Sequence, residues 1–253
     1  AGTPEAPEGF LPRHVSSGDR YHRTDTVTTT RGEHASVQRV EREVIVESVG
    51  TDGAILMSER VREIHMSDDG RERTLPRELR DVSNAVARYR VNVHGELLGE
   101  VDVTGGTPDN TTLVHDMVVR SLTQGVFDRT HDMRPSDHRT AQRTLPVDLG
   151  EVQPELHLDI NYVLRGLDDR EARFELDATG EIAETPLPGR GHNKVRGSAN
   201  MTGAMSVDPR DGFAGTYREE LHLFYTVRDE TNHPRGPAEN LIVTTETAIS
   251  RAP

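Results

Sequence analysis

Two histidines share one sequence context, which makes them the first candidates for chemistry. His157 and His222 each hold the third position of a Glu-Leu-His-Leu segment. In an extended strand the leucines point to one face and the histidine to the other, so both histidines face the same kind of surface. If their strands were neighbours, His157, Asp159, Glu220 and His222 could converge, as a hydrolase or a metal-dependent enzyme would require. Ordinary cross-strand pairing of polar side chains on a solvated face is the alternative interpretation.

A second group of metal-ligating side chains lies near the middle of the chain. His131-Asp132 and Asp137-His138 could hold zinc if the intervening segment folded back on itself. Solvated loop side chains are the alternative, because spacing alone does not fix the geometry of a metal site. The sequence has no cysteine, which excludes thiolate zinc sites and disulfides. It also lacks an HExxH pattern, so we predict no cofactor and no defined metal centre.

Nucleophilic catalysis has no clear signature in the sequence. There is no GxSxG segment to place a serine on a strained turn. The carboxylate pairs at 68–69 and 168–169 lie at predicted hairpin tips, where aspartate serves turn geometry. The DPRDG segment at 208–212 lacks the ligand spacing and the terminal glutamate of a calcium loop. These absences favour a protein that is not an enzyme, with a hydrolase acting through the His157/His222 surface as the alternative.

The element that would position any site is a hairpin at Met201–Val227. Alternating apolar and polar residues lead into and out of the turn sequence PRDG at 209–212. Proline presets φ and glycine tolerates positive φ, so this tetrapeptide is typical of a tight turn. The period of two predicts a half-buried antiparallel hairpin.

Similar alternation recurs along most of the chain, so we predict a mainly β protein. The expected form is curved antiparallel sheets or a half-open barrel, in two similar halves. The exception is 110–124, where apolar residues at helical spacing predict one central helix, capped by Asp109 or Asn110 and stopped by Gly125. The predicted units are a flexible tether at 1–14, an N-terminal β half with the helix at 15–128, a connector at 129–144 and a C-terminal β half at 145–253.

Composition narrows the compartment and the partners. The chain of 253 residues carries 43 acidic and 30 basic side chains, a formal charge of −13. Such a surface repels nucleic acid and anionic lipid headgroups, so neither is expected as a general partner. No apolar run reaches the roughly 18 residues of a transmembrane segment. The cysteine-free composition and the Pro/Gly/Glu-rich start, AGTPEAPEGFLP, indicate export to the periplasm or cell envelope of a bacterium.

The order of turn and strand motifs resembles a known family. These motifs are a Gly-Asp-x-Tyr strand opening at 18–21, a V-x-x-D-G hairpin at 49–53 and a G-E-L turn at 95–97. A Y-x-L-x-x-L-x-x strand at 162–169 and a Gly-x-M-x-V-D-x-x-D-G-F hairpin at 203–213 follow. The chain is similar here to exported, often lipid-anchored bacterial proteins catalogued only as a domain of unknown function. The resemblance implies a β-rich envelope protein and names no catalytic position. The family's lipid-bearing cysteine is missing, so any lipid anchor would lie upstream of residue 1.

A curved sheet with a helix across its mouth commonly encloses an apolar groove. We therefore predict a non-enzymatic envelope protein that binds a protein partner or an apolar small molecule. A structural subunit of a surface assembly, pairing through exposed edge strands, is a further alternative. The predicted ligand-binding residues are Leu113, Met117, Tyr162, Met201 and Met205. Methionine also fills gaps in ordinary cores, so core packing is the competing interpretation of the three methionines among them.

Overall fold

The protein is mainly β, with one α-helix among the described residues. The structure is a computed structural model, and it describes residues 13–124, 134–150, 152–189 and 192–253. Within these ranges, twelve strands form one antiparallel sheet, and α1 spans Pro108–Gln124. The strands are β1 (Arg20–Arg31), β2 (His34–Val49), β3 (Ile55–Asp68), β4 (Arg71–Glu72), β5 (Val86–Val91), β6 (Asp102–Thr104), β7 (His138–Pro146), β8 (Glu155–Leu167), β9 (Ala172–Pro186), β10 (Lys194–Val207), β11 (Gly215–Arg228) and β12 (Glu239–Arg251).

The two halves of the chain meet at the centre of one open sheet. The strand order is β6-β5-β3-β2-β1-β12-β11-β10-β9-β8-β7, with β4 paired to β3 outside this path. The chain winds outward from β1 to β6 and continues through α1. It begins again at the opposite edge, β7, and winds back until β12 pairs with β1. The predicted mainly β architecture of a curved, half-open antiparallel sheet with one helix is confirmed.

The sheet has two chemically different faces. One face, called the core face below, carries the buried side chains, for example Tyr21, Val44 and Leu158. Its apolar residues form two clusters, one around β1–β6 and α1, the other around β7–β12. The opposite face, called the groove face, is rich in threonine, arginine and carboxylates. Alternation with a period of two produces this division, because successive side chains of a strand point to opposite faces.

Glycines on the core face let β9 and β10 pack closely against their neighbours. A methyl group at Gly203 would lie 2.7 Å from the carbonyl oxygen of Arg218 and 3.0 Å from Leu176. One at Gly197 would lie 2.9 Å from Ile182 Cδ1. Glycine inside a strand commonly marks such close approaches. In the C-terminal half, the core-face side chains of neighbouring strands therefore pack closely against one another.

The helix begins slightly earlier than predicted. Thr107 Oγ1 accepts a hydrogen bond from the Asn110 backbone N–H at 3.3 Å, so Thr107 is the cap in place of Asp109 or Asn110. Pro108 follows at the first helical position, where its fixed φ suits the helix and its missing N–H costs nothing. The predicted apolar stripe is confirmed, because Val114 and Val118 are 1% exposed. The predicted stop at Gly125 lies outside the described residues.

Two further boundaries differ from the prediction. The predicted connector at 129–144 contains most of β7, which sequence reasoning missed because alternating arginines and threonines there resemble a solvated loop. The predicted tether ends too late, because Arg13 is buried and its backbone N–H donates to Val93 O at 2.8 Å.

Candidate functional site

The two histidines in matching contexts lie on one face but not together. Both point to the groove face, as predicted. They belong to β8 and β11, which are separated by β9 and β10, so about 14 Å of sheet lies between their strands. His157 Nδ1 is hydrogen-bonded to Thr144 Oγ1 at 3.1 Å, and His222 Nε2 lies 2.6 Å from Glu220 Oε1. The condition for convergence of the two histidines is therefore not met, because their strands are not neighbours.

The predicted metal ligands in the middle of the chain are only partly within the described residues. His131 and Asp132 lie outside them. Asp137 accepts a hydrogen bond from the Arg134 backbone N–H at 2.8 Å, which is a turn contact. His138 begins β7 opposite Val163. Among the described residues no group of three or more ligating side chains could hold a metal ion.

The five predicted ligand-binding residues belong to two different cores. Tyr162, Met201 and Met205 are buried in the C-terminal cluster. Leu113 and Met117 pack at the edge of the N-terminal cluster. Ligand binding by these residues remains a prediction. Met205 also lines a large groove on the opposite side of the sheet.

The space beneath α1 is occupied by a buried charge network. Arg42, 3% exposed, donates to Glu59 Oε1 at 2.5 Å and also bonds Asp25. Tyr89 Oη donates to Glu59 Oε2 at 3.1 Å, and Thr247 Oγ1 donates to Asp25 Oδ1 at 2.7 Å. Carboxylates on both sides of Arg42 compensate its desolvation. Because the bonded residues lie on five strands, the network joins β5, β3, β2, β1 and β12.

The network also holds the helix and shifts the titration of its members. Arg42 Nη1 lies 3.2 Å from Ser121 Oγ on α1 and donates to it. Burial acts to raise the pKa of Asp25, but the charges of Arg23 and Arg42 outweigh it and hold that pKa well below its ordinary value of 3.8. Burial, reinforced by the charge of Glu59, raises the pKa of Tyr89 far above its ordinary value. These groups stabilise the fold, and a cavity of only about 30 Å³ lies beside them.

The groove on the opposite face is large enough to hold a ligand. Its volume is about 870 Å³, within the roughly 300–1,000 Å³ range of small-molecule sites. Arg39 of β2 and Arg165 of β8 both line it, although their strands are six places apart in the sheet. The sheet is therefore concave on its groove face here. The pairing of β8 with β9 shifts register between Leu164 and Gly166, and such a β-bulge bends the strand at the edge of the groove.

Strand register explains the composition of the groove floor. Thr24 pairs with Ala248, Ala248 with Thr216, and Thr216 with Ser206. Four side chains of adjacent strands thus form an uncharged row, called the neutral row below. Arg173, the partner of Ser206 on β9, closes one end of the row.

Arginines and glutamates form the groove's walls. Four arginines and three glutamates line it, which is a local excess of basic groups in a chain whose formal charge is −13. Arg165 Nε donates to Glu175 Oε2 at 2.7 Å, and Arg218 Nη1 lies 3.2 Å from Glu246 Oε1. Arginine side chains carry apolar stems, so the walls offer both alkyl surface and charge.

Sequence reasoning missed both the groove and the buried network. The network had a signal, because Arg42 alternates in phase with Val40, Val44 and Val46 and must therefore share their buried face. The groove had none in any single segment. Its residues come from seven strands, some of them distant in sequence, and only their register brings them together.

Comparison with known proteins places the fold but not the family. No protein-family model matches the sequence, and no curated protein matches it. The chain is similar in structure to a protein described under "Lipid-protein interactions in lipovitellin", with a TM-score of 0.52 and 12% identity over 94% of this chain. It spans about a quarter of that protein's length, because the match covers 26% of that chain.

Two membrane channels align over most of their length but at low scores. A mutant porin of Rh. blastica has a TM-score of 0.21 and 8% identity, covering 91% of this chain and 99% of the porin. An outer-membrane channel from Pseudomonas putida F1 has a TM-score of 0.19 and 10% identity, covering 97% of this chain and 100% of the channel. Scores this low do not indicate a common fold. In the described part of the chain, no helix has the length and hydropathy to span a membrane.

Proposed function

We propose that the protein is a non-enzymatic carrier that holds an apolar or amphipathic small molecule in the groove between Arg39 and Arg165. The observation that carries this proposal is the groove itself, about 870 Å³ in volume, with an uncharged floor and alkyl-rich walls. Lipid-like molecules suit such a site, because an apolar body can lie along the neutral row while its polar end reaches the charged rim.

Two further considerations support carriage. The structural neighbour with a TM-score of 0.52 is a lipovitellin described by its lipid–protein interactions, and a sheet of this kind is compatible with a similar role here. The described residues bring no nucleophile, base and carboxylate together around the two histidines. Export to the periplasm or cell envelope, as the sequence predicts, remains part of the proposal, since a carrier there would move apolar molecules through water.

The test is a block of the groove floor by one large side chain. Ala248 is exposed at the centre of the neutral row, so Ala248→Trp fills the groove without altering either core. The matched control is Ser198→Trp on β10, which is exposed on the same face and lies six residues, about 20 Å, along the strand from Ala204 in the groove. Both variants should keep the circular dichroism spectrum of the parent protein.

Binding is measured by fluorescence titration with Nile red, a neutral apolar probe. We expect Ala248→Trp to weaken binding at least about tenfold, because the indole occupies the ligand's volume, and Ser198→Trp to leave it unchanged. Equal binding by both variants, or no binding by the parent protein, would overturn the proposal. Purification from the native host followed by native mass spectrometry then identifies any retained molecule.

A further inference from the structure

The arginines of the groove are unequally neutralised. Arg165 is hydrogen-bonded to Glu175 at 2.7 Å, and Arg39 lies 2.7 Å from Glu41. Arg173 Nε, in contrast, lies 3.7 Å from Glu171 Oε2, beyond hydrogen-bond distance. Its side chain is 63% exposed. Arg173 is therefore the wall cation whose charge is least satisfied by a carboxylate partner.

Two neighbouring residues keep Arg173 in this state. Ser206 Oγ donates to Glu171 Oε1 at 2.7 Å, which holds the carboxylate toward β10. Gly166 lies against the guanidinium, and a methyl group there would be only 3.2 Å from Arg173 Nη2. The missing side chain at the β-bulge thus leaves room for the guanidinium beside the backbone.

The position of Arg173 gives the groove a direction. It stands at one end of the neutral row, and Glu41, the strand partner of Thr24, stands at the other. Five strand spacings separate them, about 24 Å. Between them lie only threonine, alanine and serine side chains. A ligand lying along the row therefore meets an available cation at the β9 end, whereas at the β2 end Glu41 is paired with Arg39 at 2.7 Å.

We infer that the groove binds a single-chain amphiphile by its anionic headgroup, a carboxylate or a phosphate, with Arg173 as the headgroup residue and the chain along the neutral row toward β1. This inference rests on the proposed function. A guanidinium offers paired donors that match carboxylate and phosphate oxygens. The protein's overall negative charge disfavours anions in general, so binding depends on this local arrangement of arginines.

The test compares headgroups on one chain length, each below its critical micelle concentration. Calorimetric titrations use dodecanoate, dodecyl phosphate, dodecanol and dodecyltrimethylammonium with the full chain and with Arg173→Gln. The matched control is Arg196→Gln, which removes the same charge from an exposed position farther along β10. We expect the anionic probes to bind the parent protein about tenfold more tightly than the cationic one, as a charge-assisted hydrogen bond would provide.

Arg173→Gln should remove that preference and leave dodecanol binding unchanged, whereas Arg196→Gln should alter neither. A tighter interaction with dodecyl phosphate or with dodecanoate supports the inference in either case and identifies the headgroup. Equal binding of anionic and cationic probes, or an Arg173→Gln variant that retains the preference, would overturn the inference while leaving carriage intact. Failure of every probe, dodecanol included, would instead overturn the proposed function.

Discussion

Arg143 on the edge strand β7 donates a hydrogen bond to Glu219 on β11 at 3.2 Å, although these strands are four places apart in the sheet. Glu219 also accepts a hydrogen bond from Tyr217. Such a contact is possible only if β7–β11 curl around their core face until the edge reaches across to β11. The pair therefore connects the edge strand β7 to β11 through side chains, because no backbone hydrogen bonds join these two strands.

Removing one partner of this pair should destabilise the protein strongly. Glu219→Leu and Arg143→Met each leave a charge in a largely buried site, so we expect each to lower the free energy of unfolding by about 3 kcal/mol. The double variant should lose much less than the sum, because no unpaired charge remains. Urea unfolding of the four proteins measures the coupling. The exposed Arg165–Glu175 pair is the control, and its removal should cost at most about 1 kcal/mol.

A second prediction concerns Arg42, which compensates the buried Glu59 and the largely buried Asp25. Arg42→Met would leave Asp25 and Glu59 without their shared cation, and we expect a loss of about 3–5 kcal/mol in the free energy of unfolding. Arg62→Met, which breaks an exposed pair with Glu43 on the same sheet, should cost at most about 1 kcal/mol. Chemical denaturation followed by circular dichroism compares them. Similar losses in both variants would show that the network contributes no more than a surface pair.

The sequence alone permitted a good prediction of elements and a poor one of the site. The PRDG turn at 209–212 and the helix were predictable because turn chemistry and helical periodicity act over a few residues. The strand β7 was missed, because its core-face positions include Arg139 and Arg143, and an arginine on an edge strand does not look buried. The partial burial of Arg143 depends on its contact with Glu219, which lies 76 residues away. A site built by register across seven strands leaves no trace in the local sequence pattern.

The third prediction is loss of stability in acid. The pKa of Asp25 is held below its ordinary 3.8 in the folded protein, so the unfolded chain binds a proton more readily. The stabilisation is present above pH 3.8 and is lost progressively as the pH falls below it toward the folded pKa. Asp25→Asn should be less stable at neutral pH and should show a shallower decline in acid. Urea midpoints measured across this range provide the test, and parallel declines would contradict it.

The fourth prediction is loss of stability in alkali. Burial, together with its hydrogen bond to Glu239, raises the pKa of Tyr225 to about 12, and burial also raises the pKa of Tyr21 and Tyr89 above 10.0. The unfolded chain releases these protons first, so the contribution of the tyrosines to stability should be constant below pH 10 and fall above it. Phenolate absorbance should rise together with loss of circular dichroism. Phenolate formation near pH 10 by all five tyrosines in the folded protein would contradict this expectation.

The last prediction tests the tight packing of β8, β9 and β10. Gly180 lies on the core face between Leu158 and Ala199, and a methyl group there would lie 2.8 Å from Leu158 Cδ2 and closer still to the His157 carbonyl oxygen. Backbone cannot move aside as a flexible side chain can, so Gly180→Ala should lower the free energy of unfolding by about 1–3 kcal/mol. Gly236→Ala is the control, because nothing lies within 4 Å of a methyl group at that position. A thermal unfolding temperature that falls for Gly180→Ala and holds for Gly236→Ala would support this packing, whereas equal temperatures would show that the strands can separate at no cost.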